Sequence, residues 1–322
     1  MLALALGHSY TGNQATPKMV KSMPLRTAAT QQTFTSPEKY PYLEVRTTLQ
    51  STLPYAEHFH AAFSFGLILE GGTCFTLMGQ QRHKALKGDI ALIAPGIPHR
   101  CNPLDGKPRS YRMAYFEANW FAQHICAPLG IADVYAVTQP VVTDAALYAQ
   151  GVAALEAYCK GEDGAEALFV GMFTRLQAAY GCLASITEAD HKADLPAAAA
   201  NLLLTAHCTT NSETCQPDKY NTPDQAPDHA PVTSLAQRAG LRRESFSRAF
   251  RRTAGLPPKA WLHCLRLEKA RALLRQGKSI TEAALAAGYA DQSHFHRMFV
   301  KFYSVTPGCY QRGRSHSYNT RK

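Results

Sequence analysis

The C-terminal third of this 322-residue chain repeats itself, and the repeat constrains its fold more than any other feature. AQRAG at 236–240 returns as ALAAG at 284–288, and FSRAF at 246–250 returns as FHRMF at 295–299, an offset of 48 to 49 residues. Each copy then reaches a proline, Pro258 or Pro307, eight residues past its second Phe. Each reads as helix, glycine-containing turn, helix: a helix-turn-helix. In the second copy Ser279 and Glu282 fit a capping box, and Gly288 supplies the permissive backbone the turn needs. Between the copies, PPKAWLHCLRLEKARALLRQG opens with Pro at a helix start and closes with Gly past its end. One connecting helix therefore carries both units.

At 100° per residue the last helix of the second copy divides into two faces. Gln292, His296, Ser293 and Arg297 share one polar face, while Met298, Phe295 and Phe299 form an apolar stripe with His294 on its edge. The polar face suits a major groove, where Arg297 reads guanine and Gln292 adenine. The matching positions of the first copy are Glu244, Ser247 and Arg248, flanked by Arg243 and Arg251. Charge agrees with this reading. Residues 231–322 hold 18 Lys and Arg against 4 Asp and Glu, so this third is +14 and the preceding 230 residues are −4. A basic block of that kind is the electrostatic footprint of a nucleic-acid binder, and the major-groove reading of the polar face makes double-stranded DNA the expected partner.

Upstream the texture differs. LEVRTT, FSFGLILE, CFTLM, DIALIA and YRMAYFE, between Tyr42 and Phe121, are short β-branched or aromatic runs separated by turn residues, which predicts a small barrel or sandwich. After Pro140, TDAALYAQGVAALEAYCK and AEALFVGMFTRLQAAYGCL, joined by GEDG, predict a helical hairpin that either covers the β domain or pairs with a second copy of the chain. LPAAAANLLLTAHC predicts a further helix, and residues 209–230 are polar and without apolar period. Nine cysteines without a CxxC pair suit a reducing cytosol, and no apolar run reaches the ~18 residues of a membrane span, so a cytoplasmic chain without membrane contact is expected.

GYADQSHFHRMFVKFYSVTPGCY resembles the signature of the AraC/XylS family of transcription regulators, and the upstream copy with LRLEKARALL resembles that family's tandem helix-turn-helix domain. The resemblance covers residues 195–312. It implies insertion into successive major grooves, with Arg248 and Arg297 at the family's exposed arginine positions and Arg266 in the connecting helix. It also makes LPAAAANLLLTAHC the first helix of that domain and residues 209–230 an insertion after it. One departure is Ser304, where the family has glycine, although the first copy keeps Gly255.

HFH at 58–60 sits in the β region, and in a strand His58 and His60 project to the same side. With EGG at 70–72 and KGDIALIAPGIPHRCN, which places His99 after a Pro-Gly turn, these pieces resemble the cupin-like ligand-binding domain of AraC-type regulators over residues 42–121. The resemblance places Glu70, Cys101, Tyr111 and Met113 near a pocket with the histidines. Metal-binding cupins add a Glu a few residues after the His-x-His pair, where this chain has Ser64 or Phe65, so a polar small-molecule pocket without a metal or other cofactor is the expectation. The expected fold is multidomain α and β: a loose arm (1–41), a cupin-like sensor barrel (42–140), the hairpin (141–190), an all-α DNA-binding domain (195–312) and a basic tail (313–322). The expected function is effector-responsive, sequence-specific transcription regulation as a homodimer, including activation through RNA polymerase. The alternatives are a metal-dependent cupin enzyme fused to a DNA-binding domain, using His58, His60 and His99, and a DNA-binding module whose N-terminal half only dimerises.

Overall fold

A computed structural model describes residues 31–78, 81–132, 135–186, 230–313 and 318–319. The helix expected at 195–208, nearly all of the polar insertion and most of the basic tail lie outside the described residues.

The N-terminal part is built from β1 (Gln31–Thr35), β2 (Leu43–Ser51), β3 (Phe63–Glu70), β4 (Gly72–Leu77), β5 (Gln81–Leu86), β6 (Asp89–Ile93), β7 (His99–Pro103) and β8 (Arg109–Phe116). After a short helix, α1 (Ala118–Phe121), come β9 (Tyr135–Val137) and β10 (Val141–Thr143). Two sheets face each other, one ordered β10-β6-β3-β8-β2-β1 with the short strand Tyr318–Asn319 added beside β1, the other β5-β4-β7. The hairpin from β3 to β4 turns at Gly71, whose φ of +68° and the Pro108 carbonyl 2.5 Å from where a Cβ would stand exclude a side chain. The arm expected to be loose over residues 1–41 instead contributes β1, which pairs along β2 from Gln31–Leu49 to Thr35–Val45. Its order comes from Phe34, which is buried against Tyr310 of the C-terminal domain at 4.9 Å between ring centroids.

Side-chain alternation gives the larger sheet two different faces. Phe63, Phe65 and Leu67 of β3, Leu43 and Val45 of β2, and Ala114 and Phe116 of β8 face α2 (Ala145–Lys160) and α3 (Ala165–Tyr180). These helices bury Leu155, Tyr158, Phe169, Met172, Phe173 and Leu176 in the same cluster. The hairpin thus uses its apolar face to cover the sheet within the chain. The opposite face, with Arg46 of β2 registered against Met113 of β8, and Thr48 against Tyr111, looks inward to a cavity.

The C-terminal part is helical: α4 (Ala230–Arg238), α5 (Arg243–Ala254), α6 (Pro258–Arg275), α7 (Ile280–Ala286), α8 (Gln292–Tyr303) and α9 (Pro307–Gly313). The first unit packs Val232, Leu235, Phe246 and Phe250 around Trp261 and Leu262 of α6. The second packs Ala283, Ala284, Phe295 and Phe299 around Leu267 and Leu274. The Ser279–Glu282 capping box forms, and Gly288 takes a φ of +84°. The two parts dock through buried polar contacts. Glu44 of β2 receives Arg271 Nη2 at 2.5 Å and the Tyr310 hydroxyl at 2.5 Å. Arg271 also pairs with Glu268 at 3.0 Å, and Glu268 accepts the Ala61 N–H at 3.2 Å. Phe59 packs on Trp261 at 4.3 Å between centroids.

Ser304 keeps the backbone of the glycine it replaces. Its φ is +54°, in the left-handed region that Gly255 occupies at +73° in the first unit. A side chain there costs about 1–2 kcal/mol, part of which glycine's greater unfolded-state freedom offsets. Ser304→Gly is therefore expected to raise unfolding stability by up to about 1 kcal/mol in urea titration; a loss of stability would contradict this account of the turn.

Candidate functional site

The cavity lies between the two sheets and is closed on one side by the C-terminal domain. Arg271, Phe302, Tyr303 and Tyr310 contribute to its lining. Of the residues expected from the sequence, His58, His60, His99, Cys101, Tyr111 and Met113 line it. Glu70 does not. A register shift between Ile68 and Glu70 ends the regular pairing of β3 with β8, and Glu70 is exposed, accepting from Gln50 at 2.5 Å and from the Ser110 hydroxyl at 3.2 Å.

The histidines converge although residues 58–60 are not in a strand. His58 and His99 form a two-bond antiparallel bridge, 2.9 and 2.7 Å, and Gly96 N–H donates to the His60 carbonyl at 2.9 Å. These bonds bring the three rings to centroid distances of 4.5, 4.7 and 6.0 Å. Burial, reinforced by their mutual repulsion, pushes each imidazole pKa down to about 3, so all three are neutral at neutral pH.

Two further cavity residues, Arg46 and Arg109, were not among the expected ones. Both are buried, and among the described residues neither has a carboxylate within ion-pair distance. Arg46 donates to Thr48 Oγ1 at 3.2 Å and to the Tyr55 hydroxyl at 2.5 Å. Arg109 donates to Thr73 and, at 2.8 Å, to the Cys101 carbonyl, and its Nε has no partner. The tyrosines cannot serve as counterions. Burial pushes Tyr55 up and Tyr115 to about 12, so both remain neutral phenols. Two guanidiniums held in a cavity without a carboxylate are offset only by neutral groups: their hydrogen bonds and cation–π contacts, Arg46 over Phe34 and Tyr55 and Arg109 over Tyr55 and Tyr111, compensate part of the desolvation, and no opposite charge supplies the rest. Tyr55, Tyr115 and Phe34 complete the aromatic wall.

On the helical domain the wheel is reproduced. Gln292, Ser293, His296 and Arg297 are exposed on α8, Phe295 and Phe299 are fully buried, and His294 is half-buried beside His263 and Tyr289. Asp291 caps the helix through the His294 N–H at 2.6 Å. On α5, Arg243, Glu244, Arg248 and Arg251 are exposed and Ser247 is half-buried. Arg266 is half-buried on α6, and its guanidinium lies against the Gly288 turn, 3.5 Å from where a Cβ would stand. No helix among the described residues is long and apolar enough to cross a membrane.

Comparisons with known proteins agree with both halves of this arrangement. The model of the AraC-like ligand binding domain matches residues 41–162, and that of a helix-turn-helix domain matches residues 235–313. With a cupin-like β domain followed by paired helix-turn-helix units, the chain belongs to the AraC/XylS family. It is 31% identical over 90 residues to the HTH-type transcriptional regulator MtrA of Neisseria gonorrhoeae, a match covering 28% of this chain and 30% of that one. Against an HTH-type transcriptional regulator of Bacillus subtilis, YbfI, identity is 22% over 242 residues, covering 74% of this chain and 81% of that one. The match with the gonococcal protein thus spans less than a third of that relative's length. ToxT of Vibrio cholerae, crystallised with (E)-4-(8-methylnaphthalen-1-yl)but-3-enoic acid, shares the fold at a TM-score of 0.50 and 14% identity, covering 89% of this chain and 100% of that one.

The Arg109 guanidinium, which has no carboxylate partner among the described residues, gives a direct prediction. Arg109→Met, which substitutes an apolar chain of similar length, is expected to leave ligand-free stability unchanged or raise it by up to about 2 kcal/mol in urea titration. A loss above about 1 kcal/mol would show that Arg109 is already compensated within the chain.

Proposed function

We propose that the chain is a sequence-specific DNA-binding transcription regulator that responds to an anionic small molecule with an aromatic or apolar body. The observation that carries the DNA part is the pair of exposed recognition faces on α5 and α8, held at a set spacing by α6. Arg297, Gln292, Ser293 and His296 read base edges in one major groove, and Arg248, Ser247 and Glu244 do so in the next. Arg243 and Arg251 hold phosphates, and Arg266 steadies the second turn from the connecting helix. Binding as a homodimer and contact with RNA polymerase are part of this reading, carried over from the sequence. No catalytic role is proposed.

The effector class rests on Arg46 and Arg109. A carboxylate or similar anion would accept from the unpartnered Arg109 Nε and neutralise the buried charge, while Tyr55, Tyr111, Tyr115 and Met113 enclose an apolar body. Because the C-terminal domain closes the same cavity, an occupant changes how firmly that domain is held, and hence which half-sites the two units reach together.

DNA fragments selected by the purified protein supply the operator. On it, Arg297→Ala is expected to cost about 1–3 kcal/mol of specific affinity and to relax preference at one base pair. Unchanged affinity and preference would contradict the assignment. For the effector, thermal shift with aryl-substituted short-chain acids, the compound crystallised with ToxT among them, is expected to show stabilisation by the acids and none by their methyl esters. Equal stabilisation by acid and ester, or stabilisation that survives Arg46→Met with Arg109→Met, would contradict an anionic effector.

A further inference from the structure

The smaller sheet turns one face to the cavity and the other to solvent, and its outer face is basic. Thr73, Phe75 and Cys101 line the cavity and His83 stacks on Phe75 at 5.3 Å, so strand alternation sends the residues between them outward. The register puts Thr76 of β4 opposite Arg82 of β5 and Arg100 of β7, and Cys74 opposite Lys84 and Asn102. Arg82, Lys84 and Arg100 are exposed, and no Asp or Glu stands among the outward residues of the three strands. None of these three cations makes an ion pair among the described residues. Glu57, across the His58–His99 bridge from Arg100, is not within ion-pair distance of it.

We infer that this face is a phosphate-binding surface through which the β domain grips the DNA backbone flanking the site read by α5. The inference rests on the DNA-binding reading of α5 and α8 and is independent of the effector.

The charge pattern supports it first. Arg82 and Arg100 stand about 10 Å apart, two strand spacings, and Lys84 follows about 7 Å along β5. Like charges gathered on one sheet face repel and contribute nothing to the stability of the free protein. They are gathered here although residues 1–230 are net acidic, at −4. A polyanion with closely spaced charges relieves the repulsion of all three together, and releases counterions as it does so.

Position is the second support. Pro98 and Met78 pack against Gly255, the residue that closes α5: Pro98 Cγ is 3.0 Å and Met78 Sδ 3.3 Å from where its Cβ would stand. Gly255 comes seven residues after Arg248, so at 100° per residue it lies within about 20° of Arg248 around the helix axis. The β domain thus abuts the C-terminal end of α5 on the side of its reading face. Arg100 is two residues from Pro98, and Thr76, between Arg82 and Arg100, is two residues from Met78, about 7 Å along the strand. Arg251 and Arg252, both exposed in the last turn of α5, approach the same junction from the helical side. The basic surface of α5 therefore extends onto the small sheet. Backbone contacts position a protein without reading sequence, so this surface lengthens the footprint on the α5 side and ties the sensor domain to the bound DNA.

The test compares the full chain with a variant carrying Arg82→Ser, Lys84→Ser and Arg100→Ser, both checked for folding by circular dichroism. Two DNAs are used: a selected operator extended by one helical turn, about 10 base pairs, beyond the half-site whose preference Arg248→Ala relaxes, and the same operator cut at that half-site's edge. On the extended DNA the variant is expected to bind at least tenfold more weakly, with a slope of log affinity against log salt shallower by about 2 to 3. On the cut DNA the two proteins are expected to bind alike, and the selected base preferences stay the same. Should the triple variant not fold, Arg100→Gln alone is expected to remove about one unit of slope. Equal slopes and affinities on the extended DNA would overturn the inference, as would equal losses on both DNAs. Tighter binding by the variant would also overturn it, because the β domain would then obstruct the reading face. Unchanged DNA binding with lost binding to vesicles of anionic phospholipid would give the face to a membrane surface and overturn it as well. A wild type that selects no operator sinks the DNA-binding reading itself, whereas one that selects an operator its variant binds equally well sinks only this inference.

Discussion

Glu44 is the constraint on which the arrangement of the two domains depends. It sits on β2 with no exposure to solvent, and its carboxylate is satisfied by Arg271 and Tyr310, both from the helical domain. Burial alone would raise its pKa, yet Arg271 and Tyr310 hold it below the usual carboxylate range. Removing one partner of such a pair typically costs about 3–5 kcal/mol, because the remaining charge is left buried alone. Arg271 is equally committed, since it also pairs with Glu268 and stacks over Tyr303 at 5.0 Å and Tyr310 at 5.6 Å. The domains are thus joined by a network that is favourable only when complete, and separating them exposes or orphans several charges together.

The same docking produces the cavity. β2 directs Glu44, Arg46 and Thr48 to its inner face; Glu44 meets the helical domain, and Arg46 stays inside without an acid. Arg109 and Tyr111 of β8 extend the row. A chain selected for stability alone would not keep two guanidiniums there, and proteins that retain such costly groups do so at functional sites. Under the proposed function, the ligand that satisfies them also bears on Phe302, Tyr303 and Tyr310, so ligand binding and docking of the helical domain share one free energy.

The helical domain was legible from sequence because its signals are local. The capping box at Ser279, the turn at Gly288 and the 3.6-residue period of α8 each act within a few residues, and Phe295 and Phe299 are buried as the wheel requires. The β domain was less so. Strand alternation separates Glu44, Arg46 and Thr48 from Leu43 and Val45 without saying which face meets water, and charged residues read by default as the wet one. Only the pairing of β2 with β8, together with a helical domain more than 200 residues away, turns them inward. QRHKAL and HRCNP, which form β5 and β7, carry too few β-branched residues to stand out and are ordered by pairing with β4. Glu70 was expected in the pocket from the family resemblance, but a register shift after Ile68 sends it outward. The convergence of His58 and His60 was suggested by spacing and that of His99 by the cupin resemblance, whereas their carbonyl-held tautomers are visible only in three dimensions.

The claim at the centre of this account is that the helical domain closes the cavity through Arg271. Amide hydrogen exchange of the full chain, wild type against Arg271→Met, addresses it most directly, with the N-terminal domain as the reporter. The account predicts faster exchange in residues 41–46 and 58–61, the segments that carry the contacts of Pro41, Glu44, Phe59 and Ala61 to the C-terminal domain, and unchanged protection in β3 and β6 beneath the α2–α3 hairpin. Identical exchange of the two proteins at residues 41–46 and 58–61 would contradict it.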